Sequence, residues 1–316
     1  MADITAARIN NLQSSINLIL GSGSGQNGYG QAVTSSQVNN TGDLIEAADI
    51  NAIYADILKA RVHQVGASDV AISQVIQNLN IIAENTSFFV NDAGVTSIDP
   101  DGFKKGIEDF EAVMSQVQID KTLCALSQAS DEAGITSVRT SNWNGLIYHE
   151  AVINFASENA RRFFFNTGGE IRIKANNTGA SGAKGLDWGI LCTEVGTVKF
   201  AANQTTSLLP GGGAGSGSSI GNYDLSGDYQ LIYQKVGSGS NTGIYAGNIY
   251  TVKVRSVSST SITFRIEFND VSDANAAGGT IDNNVDGRLE SDIRHLRANG
   301  VVTVSAPTYT NSNTLA

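Results

Sequence analysis

The run Asp282-Asn283-Asn284-Val285-Asp286-Gly287 sets oxygen-bearing side chains at alternate positions and a glycine at the sixth. This is the opening of a calcium-binding loop, because hard cations take oxygen ligands and the glycine permits the sharp turn. Asp282, Asn284 and Asp286 are therefore the candidate ligands of a structural cation. Glu290 stands at the ninth position, but Ile293 occupies the twelfth, where a bidentate glutamate belongs, and no helix is expected before Asp282. Asp270 and Asp273 lie upstream and can add charge. Asn-Asp-Gly runs also make ordinary turns, so a turn and a structural calcium are both open.

Nucleophilic chemistry has little to build on. The histidines are His63, His149 and His295, and none lies in a nucleophile elbow. His149 alternates with Ile147, Ala151, Ile153 and Phe155, which predicts a hydrogen-bonded histidine facing a core. A pair of His with Cys124 or Cys192 needs proximity in space that chain spacing does not supply. Two cysteines make neither a disulfide framework nor a four-thiolate zinc site. The segment Gly21–Gly30, GSGSGQNGYG, lacks the Gly-Lys-Ser/Thr ending of a phosphate loop and follows no strand. It reads as a loop that turns closely around a neighbour. Tyr223, Tyr229, Tyr245 and Trp188 are candidate sugar platforms, the alternative being core or sheet surface. No catalytic or cofactor-binding residue is expected, and calcium is the single cofactor in question.

These residues need elements to hold them. In the first half Ile9, Leu12, Ile16 and Ile19 recur at helical steps, as do Ile50, Ile53 and Ile57. Ile72, Val75, Ile76, Leu79 and Ile82 repeat the pattern, and so do Phe103, Ile107, Phe110, Met114 and Val117. Each series predicts an amphipathic helix. Asp99 and Pro100 suit the start of the fourth, and Thr41 or Asp43 and Ser68 suit the caps of the second and third. In the second half the period changes to two. Ile262, Phe264, Ile266 and Phe268 alternate with polar residues, as do Ile171 and Ile173, and Tyr250, Val252 and Val254. Further strands are expected at 146–155, 195–200, 229–236 and 301–305, with a short helix from Glu158 to Asn166 and a loop from Pro210 to Gly221. The expected fold is α+β with segregated parts: a helical assembly domain over 1–135, then an antiparallel β-sandwich or jelly-roll-like domain over 136–316.

Composition narrows the class. Charged residues are 16% of the chain, against about 25% in an average one. There are 34 glycines and 3 prolines, in keeping with turn-rich β structure. Up to Gly134 there are 16 acidic and 6 basic residues, and beyond it 14 of each, so the net charge of −10 belongs to the first half. That is not the basic footprint of a nucleic-acid binder. No apolar run reaches 18 residues, and MADITAARIN is no secretory signal, so neither membrane insertion nor secretion is expected.

Several stretches are similar to a known family. Gly21-Ser-Gly-Ser-Gly-Gln-Asn-Gly-Tyr-Gly-Gln31 is followed by Ser35-Ser-Gln-Val38, Ile50-Asn51 and Lys59-Ala-Arg-Val-His-Gln64. The second half holds Trp143-Asn144, Val152-Ile-Asn-Phe-Ala-Ser157, Ala160-Arg-Arg-Phe-Phe-Phe-Asn166 and Gly168-Gly-Glu-Ile-Arg172. Together they resemble a virion structural protein family of tailed, especially marine, bacteriophages. The resemblance covers most of the chain, but its motifs carry no chemistry. It implies a tail, neck or baseplate component, assembled in the host cytoplasm, that contacts copies of itself and other virion proteins. It is not an enzyme on this view. The competing expectation is a tail fibre or adhesin whose sandwich binds host-surface glycans.

Overall fold

The computed structural model describes residues 5–38, 45–66, 88–90, 96–98, 107–209, 215–239, 244–271 and 282–315. They fall into two compact units, neither of them one continuous stretch. The first comprises Met1–Ser130, Arg162–Gly168 and Ala298–Val304; the second comprises Asp131–Arg161, Gly169–Arg297 and Ser305–Ala316.

Among the described residues, three helices lie wholly within the first unit. α1 (Ala6–Leu20) begins at Thr5, whose hydroxyl accepts the Arg8 N–H. α2 (Ala47–Val65) begins at Glu46, whose N–H donates to the Asp49 carboxylate, and ends at Gly66 in the left-handed conformation. Asp49 thus satisfies the helix entry from inside the first turn. β1 (Phe88–Val90) and β2 (Thr96–Ile98) form an antiparallel pair, and α3 (Ile107–Ile119) follows. The expected helix over 72–82 and the candidate caps Thr41, Asp43, Ser68, Asp99 and Pro100 lie outside the described residues. Ile9, Leu12, Ile16 and Ile19, then Ile50, Ile53 and Ile57, then Ile107, Phe110, Met114 and Val117 are all buried. Each such side chain contributes about 1.5–3 kcal/mol on leaving water. Arg8 of α1 reaches Glu108 and Glu111 of α3, and Arg61 of α2 reaches Asp120 just beyond α3.

The second unit is a sandwich. Its strands are β3 (Ala129–Arg139), β4 (Gly145–Asn154), β5 (Glu170–Thr178), β6 (Thr197–Phe200), β7 (Thr205–Ser207), β8 (Gln230–Val236), β9 (Ile249–Ser258), β10 (Ser261–Asp270), β11 (Arg288–Ala298) and β12 (Thr308–Asn313). One sheet runs β12-β4-β10-β9-β8 and the other β3-β11-β5-β6-β7. β8-β9-β10 and β5-β6-β7 are antiparallel meanders. The sheets meet face to face where Phe200 of β6 packs edge-on against Phe264 of β10, ring centres 5.2 Å apart. Alternation dictates this. Ile262, Phe264, Ile266 and Phe268 are fully buried, while Arg265 and Glu267 face outward. α4 (Glu158–Asn166) lies where the residue pattern places it, with its residues from Arg162 onward in the first unit; α5 (Ala183–Val195) carries Trp188 against Phe268 and Trp143.

One expected strand is displaced. Residues 301–305 make no strand; they form a turn in which the Gly300 N–H donates to the Val302 carbonyl. The strands flank it as β11 and β12. β11 reads as polar in sequence because its charges pair across the sheet face, Asp292 with Arg294 and Lys174. The expected strand over 195–200 begins at Thr197, because α5 runs to Val195.

Candidate functional site

The loop 282–287 meets the first turn of α5. Asp286 Oδ2 accepts from the Ser181 N–H at 2.8 Å, the Ser181 hydroxyl at 2.9 Å and the Gly182 N–H at 3.0 Å. Asp282 Oδ2 accepts the Lys184 N–H at 3.1 Å. Helix N-termini expose unpaired N–H groups with partial positive charge, so carboxylates belong there. Burial tends to raise the Asp286 pKa, but the Gly182 and Ser181 donors outweigh it and hold the carboxyl below its ordinary range. A Cβ on Gly185 would lie 2.2 Å from Asp286 Oδ1, so the fit leaves no room for a side chain.

Lys184 adds a full charge. Its ammonium lies 2.7 Å from Asp270 Oδ2, with both side chains 2% exposed. Of the sequence candidates, Asp282 and Asp286 thus come together at α5, with Asp270 reached through Lys184. Asn284 is exposed, Glu290 pairs with Arg288, Ile293 is core, and Asp273 lies outside the described residues. Among the described residues no three His, Cys, Asp or Glu side chains form a metal-ligand group. What the arrangement does is join the β10–β11 connection to α5, with positive charge supplied by the helix terminus and an ammonium.

In the first unit the fold joins His63 and Cys124, which are 61 residues apart. His63 Nε2 lies 3.0 Å from the Thr167 carbonyl, which can only accept, so Nε2 carries the proton. Nδ1 then faces Cys124 Sγ at 3.9 Å. Burial drives the His63 pKa down to about 4, against the opposing pull of the Thr167 carbonyl. The ring is neutral near pH 7 and supplies no imidazolium to stabilise a thiolate. The thiol also lies 3.5 Å from the Ala125 carbonyl and 3.6 Å from the Gln128 carbonyl. This is a neutral contact among acceptors, not an activated nucleophile.

The glycine-rich segment does wrap a neighbour. It closes on itself through the Gly30 N–H to the Gly21 carbonyl and encloses Tyr29, whose hydroxyl donates to the Lys121 carbonyl at 2.6 Å. Gly30, at φ +70°, packs where a Cβ would lie 2.4 Å from the Phe163 ring.

His149 is the expected core histidine, fully buried, with Ser291 Oγ at 3.0 Å and Asn311 Oδ1 at 2.7 Å. The candidate sugar platforms divide. Trp188 and Tyr245 are buried and Tyr223 is half-buried. Tyr229, also half-buried, has the Arg255 and Arg265 guanidinium groups 4.4 and 4.3 Å from its ring centre, and its hydroxyl donates to Glu150 at 2.5 Å. Periodicity has no means of showing this Tyr-Arg-Glu cluster, since Tyr229 precedes β8 and its partners lie on β9, β10 and β4.

No family model, curated protein or solved structure matches the chain.

Proposed function

We propose that this chain is a structural component of a tailed bacteriophage virion, in the tail, neck or baseplate, acting through symmetric protein–protein contacts. The observation that carries an assembly role is apolar surface on the first unit. Ile119 is 71% exposed, Leu123 47% and Leu126 77%, all in one short stretch. Apolar area left in water forgoes about 25 cal/mol per Å², and a neighbouring chain that covers it recovers that energy. The bacteriophage context comes from the resemblance of both sequence halves. Among the described residues no helix is long and apolar enough to cross a membrane. Mass spectrometry of purified virions is the test. The chain is expected there in multiple copies; finding it in infected-cell lysate but missing from finished particles overturns the proposal.

A second reading, an adhesin that binds host-surface glycans, draws on Arg255. It stacks on Tyr229 but has no ion-pairing carboxylate among the described residues, whereas Arg265 pairs with Glu150 and Lys253 with Glu267. A preorganised guanidinium of this kind suits an acidic sugar. A glycan array probed with the full chain tests it, and loss of any signal in Arg255→Ala identifies the contact.

A further inference from the structure

We infer that copies of this chain exchange their C-terminal strand, so that β12 of one copy lies along β4 of another. β12 is an edge strand whose one ladder partner among the described residues is β4. The opposite edge of the sandwich is covered. Ser216 pairs its backbone with Gln234 of β8, and Ser218 pairs with Thr205 of β7.

The inward side of β12 is polar. Asn311 Oδ1 lies 2.7 Å from His149 Nε2, and the Tyr309 hydroxyl lies 2.6 Å from His295 Nδ1. Asn313 Nδ2 donates to the Tyr148 carbonyl at 2.8 Å; on the exposed face the Ser312 hydroxyl donates to Glu150 Oε1 at 2.9 Å. Apolar anchorage comes from Pro307 before the strand, Leu315 after it and the Tyr309 ring, stacked on His295 with ring centres 5.7 Å apart. The Leu315 backbone accepts from Arg139 and donates to Ser137. Stripping β10 from the sandwich would expose Ile262, Phe264, Ile266 and Phe268. Stripping β12 exposes mainly groups that water can satisfy, so it detaches at far less cost than β10.

The occupant follows from the site. The uncovered edge of β4 needs an antiparallel strand that offers an acceptor to His149 and, two residues earlier, a hydroxyl to His295. β12 has that sequence, and a second copy supplies it with identical contacts. Exchange then alters little besides the connection through Val304–Pro307 and the freedom lost on association. The inference takes its partner, a sister chain, from the assembly reading, but the two fail in different experiments.

The test is an engineered disulfide in the full chain, Val152→Cys with Thr310→Cys, which are directly paired on the outer side of the sheet. A second pair, Asn154→Cys with Thr308→Cys, guards against a folding defect in the first. Equal amounts of 15N-labelled and unlabelled protein are mixed, equilibrated and oxidised, with the variants carrying only one of the two introduced cysteines as controls for links through Cys124 and Cys192. Exchange predicts a shift from monomer to covalent oligomer on a non-reducing gel, and cross-linked peptides that join labelled to unlabelled halves. Links confined to monomers overturn the inference. So does the absence of both links, since the β4–β12 pairing would then not form. Neither outcome bears on whether the chain is present in virions.

Discussion

Lys184 and Asp270 form an ion pair that water does not reach, 2.7 Å apart with both side chains 2% exposed. One lies in the first turn of α5 and the other ends β10. Removing one partner leaves the other charge buried. Lys184→Met is expected to cost about 3–5 kcal/mol, and the double variant with Asp270→Leu to recover part of it. Urea unfolding of the wild type and the two variants checks this; a double variant less stable than Lys184→Met would contradict it.

Asp286→Ala removes the acceptor for two N–H groups and a hydroxyl at the entry to α5. The expected loss is about 1–2 kcal/mol at pH 7. The folded carboxyl titrates below its ordinary range, so its contribution is present above the unfolded pKa of about 3.9 and fades as pH falls through the folded value. The gap between wild type and variant, followed by denaturant midpoint, should narrow in acid.

His63 gives the opposite protonation chemistry with the same direction. Its folded pKa of about 4 lies below the ordinary histidine value, so the unfolded chain binds the extra proton in that interval. Stability therefore rises with pH from about 4 to 6.5, by on the order of 3 kcal/mol for this residue. His149, lowered by burial against the pull of Asn311 and Asp292, adds to the slope. His63→Gln should flatten the curve of unfolding free energy against pH; an unchanged curve would refute the assignment.

The two thiols should respond differently to alkylation. Cys192 is buried, with its pKa pushed up to about 12 by desolvation, while Cys124 is half-buried. Iodoacetamide is expected to label Cys124 alone in native protein and both in denaturant. Intact-mass analysis reads the stoichiometry.

Gly30 and Gly25 both have positive φ, +70° and +56°. A Cβ on Gly30 meets the Phe163 ring, whereas one on Gly25 meets nothing within 4 Å. Gly30→Ala should cost about 2 kcal/mol or more, and Gly25→Ala about 1 kcal/mol. Thermal melts of the two variants separate steric from conformational cost.

Residues acting on near neighbours were legible in the sequence. The steps of α1, α2 and α3 and the alternation of β4, β9 and β10 appear in the chain because one apolar face must leave water. The turn from α4 into β5 was legible too, with Gly168 at φ +78° closing the helix. α5 and β11 were not. α5 buries Lys184 and Asp187, and β11 buries Ser291, Asp292 and His295, residue types that mark an exposed surface unless a partner waits for them. Those partners lie far along the chain: Asp270 for Lys184, Thr136 for Asp292, Tyr309 for His295. The amino-acid order thus settled which segments are helical or extended wherever burial is apolar and periodic. Where charge and hydroxyl are taken inside, as at the entry to α5 and along β12, the outcome waited on tertiary structure. A buried polar group is stable only when a remote residue completes its hydrogen bonds.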